Sequence, residues 1–594
     1  MKKQLLIKTV LSLLIIQAFL VSCIPMSREQ VSAKAVTLYG EMVKAGPEKI
    51  SPKEGKNKKI DLKDLAENQT IHLSGRNIYS YDPALIYSED MFIAEQLFVG
   101  LVRMDPDTKE YLPVLAEKWS ISEDQLTWTF DLQKNIPWVA YNPQTQKVDA
   151  LKDASGQVHF VTAEDIRTGI LRVLSPTMYS GNAFNLKWIV GAEEYTSGLG
   201  DINSVGIEVL NENQLAIHLI SPHASLDALT ELSLFSAFPT WLPSDYNQVM
   251  TPEMMIAFSG PYAIKDYIPG QSITLIKNPL WKGTEGLPVP TLEEIVYDLT
   301  PYADQDVVAS FKAGGLDAVE LNYDEYMAVK DDPEFKDLLR IEPGPCGYYL
   351  LFNNMNLAPL NEAKIRQSIS AAIDRQKLND FAYKGTGSQL LQYVPPFLRG
   401  SQDLSGKNRF GYDPQQAKSL MESSDWIKGV DLQSQTLTMQ VIESGNYSGI
   451  ADSISEDLQN SLGLTVNVEK FGWADYSATI QNYQFPSLYL YGYCLDYADA
   501  KNLWDLWLTG SPFSDVARGT YMKTEFNTMI NASSSIKDLA ERQKLYAQTE
   551  EILINQDTAI VPLVWNSRVW LIKPNVNAEI LPFYQQLENW QITK

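Results

Sequence analysis

The chain has 594 residues, too many for a single hydrophobic core, and this length predicts two to four domains. With 45% hydrophobic and 21% charged residues it has the composition of a globular protein rather than a disordered one. Its net charge of −24 excludes the basic footprint of a nucleic-acid-binding protein and argues against adsorption to anionic lipid.

Residues 1–22 have the pattern of a secretory signal peptide. Three lysines precede an apolar stretch, 11–21, that is too short for a comfortable membrane span. The stretch ends in Leu20-Val21-Ser22-Cys23, which resembles the bacterial lipobox, whose cysteine is acylated and becomes the first mature residue. We therefore predict a lipoprotein anchored through Cys23. The alternative is a secreted protein with an incidental cysteine.

A lysine-rich segment with few large apolar residues follows, and we predict that residues 23–65 form a flexible tether. No later stretch reaches 18 apolar residues, so no further membrane span is predicted. Removal of residues 1–22 takes away three lysines and no acid, so the net charge of the mature chain becomes −27.

Two cysteines remain once Cys23 carries lipid. Cys346 and Cys494 form an even pair in a compartment that permits oxidation, which favours a disulfide over two buried free thiols. The bridge would close a loop of 148 residues. Restricting the unfolded chain in this way is worth roughly 5 kcal/mol.

From Thr70 onward the sequence has the pattern of a globular protein. We predict strands over 70–73, 126–132 and 214–219, a helix over 88–101, and a further helix that begins after Thr162. Thr162 is placed to cap that helix, and Glu164 and Asp165 lie in its first turn, where acids are favourable.

The stretch around which we predict the functional site is a short strand near residue 490. Tyr489, Tyr491 and Tyr493 alternate with a period of two, and the strand ends in Cys494 and then Asp496. From these residues alone, Asp496 is either an ordinary surface acid or a charge held in an aromatic wall to meet a cation.

Several short motifs follow one another in an order and spacing shared with a known family. They are Leu115-Ala116-Glu117-Lys118-Trp119 with Trp128-Thr129-Phe130-Asp131-Leu132, Ser259-Gly260-Pro261-Tyr262 with Leu275-Ile276-Lys277-Asn278-Pro279-Leu280-Trp281, Phe352-Asn353-Asn354 with Ala372-Ile373-Asp374-Arg375, and Asp557-Thr558-Ala559-Ile560-Val561-Pro562-Leu563. They cover the chain from about Thr70 to its end. The chain resembles the oligopeptide-binding proteins of ABC importers, extracellular solute-binding protein family 5.

The resemblance implies an α/β fold, a periplasmic-binding-protein-like clamshell of two α/β lobes with an extra inserted lobe. Lobe I would comprise residues 66–100, 222–345 and 567–594, lobe II residues 101–221, and lobe III residues 346–566. Members of the family close on an extended peptide by hinge rotation and deliver it to a membrane permease.

The resemblance also implies a binding site at the end of the predicted strand. In relatives a Cys-X-Asp-Tyr segment, here 494–497, lies in the cleft, and its acid pairs with the free α-amino group of the peptide. That role would fall to Asp496. The cysteine of the segment is bridged in relatives to a cysteine before a Tyr-Tyr pair, which matches Cys346 and supports the disulfide.

Peptides of any sequence can be bound through the backbone groups and termini that all of them share. We therefore expect the backbone of 491–494 to pair with a peptide strand, opposite the segment 84–88 of the facing lobe. Trp473 and Tyr493 match aromatic pocket walls, although a place in the core is the alternative for both. Besides Asp496, the implied peptide-contacting residues are Tyr491, Gly492, Tyr493, Cys494, Trp473, Tyr87 and Asn566.

One feature departs from the family pattern. Relatives carry basic residues between the Trp and Cys positions that can meet the C-terminal carboxylate of a peptide, but residues 471–493 contain no Lys, Arg or His. We therefore hypothesise that peptide length is loosely defined, or that the carboxylate is met from elsewhere.

Other functions fit the sequence less well. The chain has no G-x-S-x-G or H-E-x-x-H pattern, so we do not expect an enzyme. Alternatives within the fold are a carrier of a sugar, a nickel complex or heme, and a receptor for signalling peptides. We expect no cofactor or metal, a monomer at the outer face of the bacterial cytoplasmic membrane, and the permease and ATPase subunits of an ABC importer as partners.

Overall fold

The computed structural model describes residues 62–75, 82–85, 91–242, 256–300, 306–352, 358–428, 436–481, 487–507, 521, 523–582 and 586–594. The predicted signal peptide, Cys23, nearly all of the predicted tether and Tyr87 lie outside these residues. Within them, no helix is both long enough and apolar enough to cross a membrane.

The described residues form strands and helices throughout. The strands are β1 (Thr70–Ser74), β2 (Val102–Met104), β3 (Tyr111–Pro113), β4 (Ala116–Ile121), β5 (Thr127–Leu132), β6 (Val139–Asn142), β7 (Lys147–Ala150), β8 (Ile207–Asn211), β9 (Gln214–His218), β10 (Tyr262–Ile268), β11 (Ser272–Lys277), β12 (Glu294–Asp298), β13 (Ala318–Leu321), β14 (Leu339–Phe352), β15 (Ser388–Gln389), β16 (Thr436–Ile442), β17 (Thr465–Phe471), β18 (Leu488–Cys494), β19 (Ile560–Ile572), β20 (Val576–Asn577) and β21 (Gln591–Ile592). The α-helices are α1 (Met91–Leu97), α2 (Ala163–Val173), α3 (Ala192–Thr196), α4 (Leu226–Thr230), α5 (Val307–Ala313), α6 (Tyr323–Val329), α7 (Ala363–Ala372), α8 (Arg375–Tyr383), α9 (Pro414–Glu422), α10 (Tyr447–Leu462), α11 (Trp473–Gln481), α12 (Ala500–Trp504), α13 (Thr524–Ser533) and α14 (Leu539–Glu550).

One large mixed sheet contains most of the long strands. Its strand order is β10-β11-β12-β1-β13-β19-β14-β18-β16-β17, with β15 paired to β19. The two longest strands, β14 and β19, pair with each other in two stretches, one on each side of an irregularity in their ladder. Because β13 flanks β19 at one end and β18 flanks β14 at the other, these two strands join the two groups of strands.

The half of the sheet that holds β18 is covered on both faces. Leu488 and Leu490 point into one apolar core, whereas Tyr489 and Tyr493 point into another that contains Trp504. The period of two therefore buries both sides of the strand. Tyr489 is only 2% exposed, so this member of the aromatic stripe is a core residue.

The segment 101–221 forms a second, antiparallel sheet of order β4-β5-β9-β8. β5 alternates half-buried and buried positions, which confirms the strand predicted over 126–132. α2 begins after Thr162, whose hydroxyl accepts from the Asp165 N–H while the Asp165 carboxylate accepts from the Thr162 N–H at 2.9 Å. The predicted helix cap is therefore also confirmed.

The other predicted elements near the amino end of the globular region are present, with one change of length. The strands predicted over 70–73 and 214–219 are β1 and β9. The helix predicted over 88–101 ends at Leu97, and its residues 88–90 lie outside the described residues. Leu97 O accepts from the N–H groups of Ser259 and Gly260 at 3.2 and 2.9 Å, so a distant segment terminates the helix.

The largest core is shared between β1, β12 and the second sheet. It includes Leu73 and Ile295 of the large sheet together with Phe130 and Trp138 of the segment 101–221. Since predicted lobes I and II contribute to one continuous core, packing does not divide them there. The lobe boundaries stay a prediction.

Candidate ligand-binding site

β14 and β19 change register where the two groups of strands meet. Pro343 lies opposite Ser567, but the next pair along the ladder is Gly347 with Trp565. Three residues of β14 therefore face Asn566 alone, which is a bulge in the ladder. Such a bulge displaces backbone groups from their strand partners, and these groups need other hydrogen bonds if they are buried.

Two side chains of β19 supply those hydrogen bonds. The N–H of Cys346 donates to Asn566 Oδ1 at 2.7 Å, and Trp565 Nε1 donates to the carbonyl oxygen of Gly344 at 2.7 Å. The Asn566 side chain thus closes the bulge beside Cys346. Its predicted contact with a peptide stays a prediction, and its single side-chain oxygen is already engaged within the protein.

The disulfide predicted between Cys346 and Cys494 is present, and it joins directly opposed residues of β14 and β18 whose Cα atoms are 4.0 Å apart. Immediately after it, the N–H of Leu495 donates to the carbonyl oxygen of Pro345 at 3.0 Å. A covalent bond and a hydrogen bond therefore hold the start of the segment that carries Asp496.

Asp496 is half-buried and is held by neutral groups. Its Oδ2 accepts from the Tyr493 hydroxyl at 2.7 Å and from Asn502 Nδ2 at 3.2 Å, and its own N–H donates to Asn502 Oδ1 at 3.0 Å. Asn185 also donates to the carboxylate. Burial raises the pKa of Asp496, and the hydrogen bonds from Tyr493, Asn502 and Asn185 oppose that rise only in part.

No described lysine, arginine or histidine forms an ion pair with Asp496. Two nearby cations have acids of their own: Lys501 is buried and pairs with Asp505, and Arg399 Nη1 lies 2.9 Å from Asp499 Oδ2. A third, Lys187, holds its Nζ 5.0 Å from the centroid of the Trp188 ring. A carboxylate that is partly desolvated and held by neutral donors is electrostatically suited to a cation from outside the protein.

The predicted aromatic wall divides into buried and exposed members. Tyr491 and Tyr493 are stacked, with ring centroids 6.2 Å apart, and Tyr493 is 9% exposed. Trp473 begins α11 and is 68% exposed, with its ring 6.5 Å from that of Tyr476. The ring of Tyr493 is therefore part of the core, although its hydroxyl contacts Asp496. Trp473 is not a core residue.

The backbone predicted to pair with a peptide is partly in use. In an antiparallel ladder, opposed residues with close Cα atoms do not bond to each other, and the Cys346–Cys494 pair at 4.0 Å is of this kind. By alternation, Tyr491 and Tyr493 direct their backbone groups to β14, whereas Gly492 and Cys494 direct theirs to the opposite edge. Of residues 491–494, only these two direct backbone groups to the side where a ligand strand could add.

The segment 101–221 contributes a residue that contacts Asp496. Asn185 lies in the 3-10 turn Ala183–Leu186 of that segment and is buried. The segment 82–85, which includes part of the predicted facing strand, is held by Asp82, whose carboxylate forms a buried ion pair with Arg172 of α2. Tyr87 lies outside the described residues, so its predicted role is not addressed by the structure.

The family model "Bacterial extracellular solute-binding proteins, family 5 Middle" matches residues 110–515. The chain belongs to this family. The match includes Cys346, Trp473, Cys494 and Asp496, whereas Asn566 lies beyond it.

Relatives in family 5 carry names that refer to different solutes. The periplasmic oligopeptide-binding protein OppA of Salmonella typhimurium is 24% identical, with 86% of this chain and 89% of that protein covered. Heme-binding protein A of Haemophilus influenzae is 23% identical, with 84% and 87% covered. The solved structure of the periplasmic murein tripeptide-binding protein MppA, in its unliganded open form, matches with a TM-score of 0.72 at 21% identity and covers 89% of this chain and 98% of that one.

The fold of family 5 is the clamshell that the sequence motifs implied, and the mixed sheet with its two joining strands is this chain's version of it. The family description and the names of these relatives refer to solute binding. The large sheet places Asp496 after β18 and Trp473 after β17. These two strands run parallel to the intervening β16, so their carboxyl ends lie at the same edge of the sheet.

Four residues of the site were not found from the sequence. Asn502 follows Asp496 by six residues, and its short polar side chain in the next helix was a usable signal. Asn185 lies more than 300 positions away, and no local pattern marks it. Tyr447 and Tyr476 contact the side of β18 that faces away from β14, and no local sequence pattern distinguishes them from core tyrosines.

Proposed function

We propose that this family 5 protein captures oligopeptides by their free N-terminal ammonium group, which Asp496 accepts. The observation that carries the proposal is the state of that carboxylate, which is held by three neutral donors, is raised in pKa by burial and forms no ion pair with a described side chain. A charged ligand group would supply the missing compensation. The oligopeptide-binding relatives support the same solute class.

The wider physiological setting belongs to the same proposal. The protein would be a monomeric lipoprotein, acylated at Cys23 and held at the outer face of the cytoplasmic membrane. It would deliver peptides to the permease and ATPase subunits of an ABC importer. The names of the relatives support solute binding outside the cytoplasm.

The proposal is tested by calorimetric titration of one tripeptide with a free and with an acetylated N-terminus. Acetylation is expected to weaken binding by at least about 30-fold, because it removes a buried charge partner. Asp496→Asn should weaken binding of the free-amine peptide by a similar factor and make the two peptides nearly equal. Asp452→Asn is the matched control, since Asp452 is an exposed acid that pairs with Lys470.

Equal binding of the free and acetylated peptides to the natural protein would refute the amine contact. The second candidate is heme, which the similarity to heme-binding protein A supports. Heme carries propionates, which an unpaired Asp496 carboxylate would repel. Addition of hemin is therefore expected to give no saturable change in its absorption spectrum; a saturable change would favour this candidate.

A further inference from the structure

The open edge of β18 is short. β14 pairs with β18 along its whole length, from Leu488 to Cys494, whereas β16 pairs only with Leu488 and Tyr489. No described strand pairs with the β16 side of β18 beyond Tyr489. A ligand strand that adds to this sheet would use that remaining stretch.

Two tyrosine hydroxyls already occupy the far part of this edge. The hydroxyl of Tyr476 donates to the carbonyl oxygen of Leu490 at 3.2 Å. The N–H of Gly492 donates to the hydroxyl oxygen of Tyr447. Both contacts involve even-numbered residues of β18, which are the residues whose backbone groups point away from β14.

Gly492 is needed for one of these contacts. A Cβ placed on Gly492 would lie 2.3 Å from the Tyr447 hydroxyl oxygen and 3.0 Å from the Tyr348 ring. Any side chain at this position would displace the hydroxyl from the edge. The helix α10 begins at Tyr447, shortly after β16 ends at Ile442.

No side chain of the described residues hydrogen-bonds to the backbone of the near part of the edge, at Cys494. Cys494 is exposed, and its backbone groups point to the open side of β18. The distance from Asp496 back to Gly492 is four residues, or about 13 Å at strand spacing. An extended ligand with its ammonium group at Asp496 would therefore run antiparallel to β18 and reach the Tyr447 hydroxyl after about four residues.

We propose that Tyr447 and Tyr476 end the backbone pairing of the ligand and so make affinity independent of peptide length beyond about four residues. The proposal rests on the peptide-binding function proposed above and concerns its length selectivity. The Leu490 carbonyl and the Gly492 N–H are satisfied without a ligand, so a longer peptide would exchange one hydrogen bond for another with little gain. Residues 471–493 also contain no cation that could bind the C-terminal carboxylate of a peptide of one particular length.

The test compares tetraalanine and hexaalanine, both with free amines, by calorimetric titration. For the natural protein the two affinities should agree within about twofold. In the double variant Tyr447→Phe, Tyr476→Phe, the edge groups lose their partners, and hexaalanine should bind about fivefold or more tightly than tetraalanine. Tyr262→Phe is the matched control, because its hydroxyl donates to the carbonyl oxygen of Leu292, also at 3.2 Å, outside the site.

An unchanged ratio of affinities in the double variant would overturn the proposal, and so would a strong preference for hexaalanine in the natural protein. If neither peptide bound the natural protein, the proposed function would fall and this inference with it. Hydrogen exchange offers a readout that needs no variant. The Gly492 amide should exchange slowly in the free protein and be unchanged by either peptide; fast exchange in the free protein would contradict its bond to Tyr447.

Discussion

The hydroxyl of Tyr493 donates a hydrogen bond of 2.7 Å to Oδ2 of Asp496, so a side chain from the aromatic core holds the candidate ligand acid. Tyr493 lies on β18 and Asp496 on the segment that follows, with the disulfide at Cys494 between them. The Tyr493 hydroxyl thereby connects the aromatic core to the candidate site. A hydrogen bond from a packed residue keeps a charged side chain in the geometry that ligand binding requires.

Tyr493→Phe removes this donor and should weaken binding of a free-amine peptide by about 10-fold, since hydrogen bonds to charged groups are worth roughly 1.5–3 kcal/mol. The pKa of Asp496 should rise further, because one of the bonds that lowers it is lost. Calorimetric titration across a pH series measures both effects. The control is Tyr349→Phe, whose buried hydroxyl donates to the Tyr393 carbonyl at 3.1 Å; equal losses in the two variants would assign the effect to general core damage.

Peptide affinity should depend on pH through Asp496. Burial raises its pKa above the ordinary value of 3.8, so the carboxyl group becomes protonated at a higher pH than an exposed aspartate does. An ammonium group is attracted to the ionised form, and affinity should therefore fall as pH is lowered through the raised pKa. Titrations between pH 4 and 8 check this, and binding that stays constant over the range would contradict it.

Asp496→Asn serves as the control in that series. The direction of its effect on stability can also be predicted. A folded-state pKa above the unfolded value contributes stability that is present below the unfolded pKa and is lost as pH rises through the folded pKa. At neutral pH the ionised Asp496 therefore costs stability. The variant should be at least as stable as the natural protein by chemical denaturation while its peptide binding becomes weak and insensitive to pH.

Reduction of the Cys346–Cys494 bond should lower stability more than affinity. The bond closes a loop of 148 residues, and its loss should reduce the free energy of unfolding by about 2–5 kcal/mol. The bond of Leu495 N–H to Pro345 O remains, so affinity should fall only about severalfold. Denaturation with and without dithiothreitol measures the first effect; the double variant Cys346→Ser, Cys494→Ser should not respond to the reductant. A loss of binding without a loss of stability would be the contrary result.

Trp473→Ala should reduce peptide affinity and leave stability nearly unchanged. The side chain is 68% exposed, and its removal should alter the free energy of unfolding by about 0.5 kcal/mol or less. If the indole forms a pocket wall, affinity should fall about 3- to 10-fold. Tyr412→Ala, at an aromatic that is 49% exposed, is the control. Unchanged affinity of the Trp473 variant would remove this residue from the site.

Asn566→Ala should destabilise the bulge between β14 and β19. It leaves the Cys346 N–H without its partner, at a cost of about 1–3 kcal/mol in the free energy of unfolding. Asn589→Ala removes a half-buried amide that donates to the Gln586 side chain at 3.0 Å, and it should cost less. Chemical denaturation compares the two. A larger effect of Asn566→Ala on peptide affinity than on stability would support the predicted direct contact of Asn566 with the ligand.

The sequence by itself determined the elements that depend on neighbours close along the chain. The alternation of β5, the Thr162 cap of α2 and the strand that leads to Asp496 all follow from periods of two or spacings of three residues, which act locally. The shortened end of α1 did not follow, because its last carbonyl bonds to residues more than 160 positions later.

Only the tertiary structure decided what surrounds the acid and the edge. The Asn185 donor, the Asn566 bond at the bulge and the hydroxyls of Tyr447 and Tyr476 on β18 come from parts of the chain that no periodicity relates. A buried backbone group takes whichever donor or acceptor the packed fold brings within about 3 Å. That choice depends on the positions of whole elements, and a residue's identity and its sequence neighbours do not encode it.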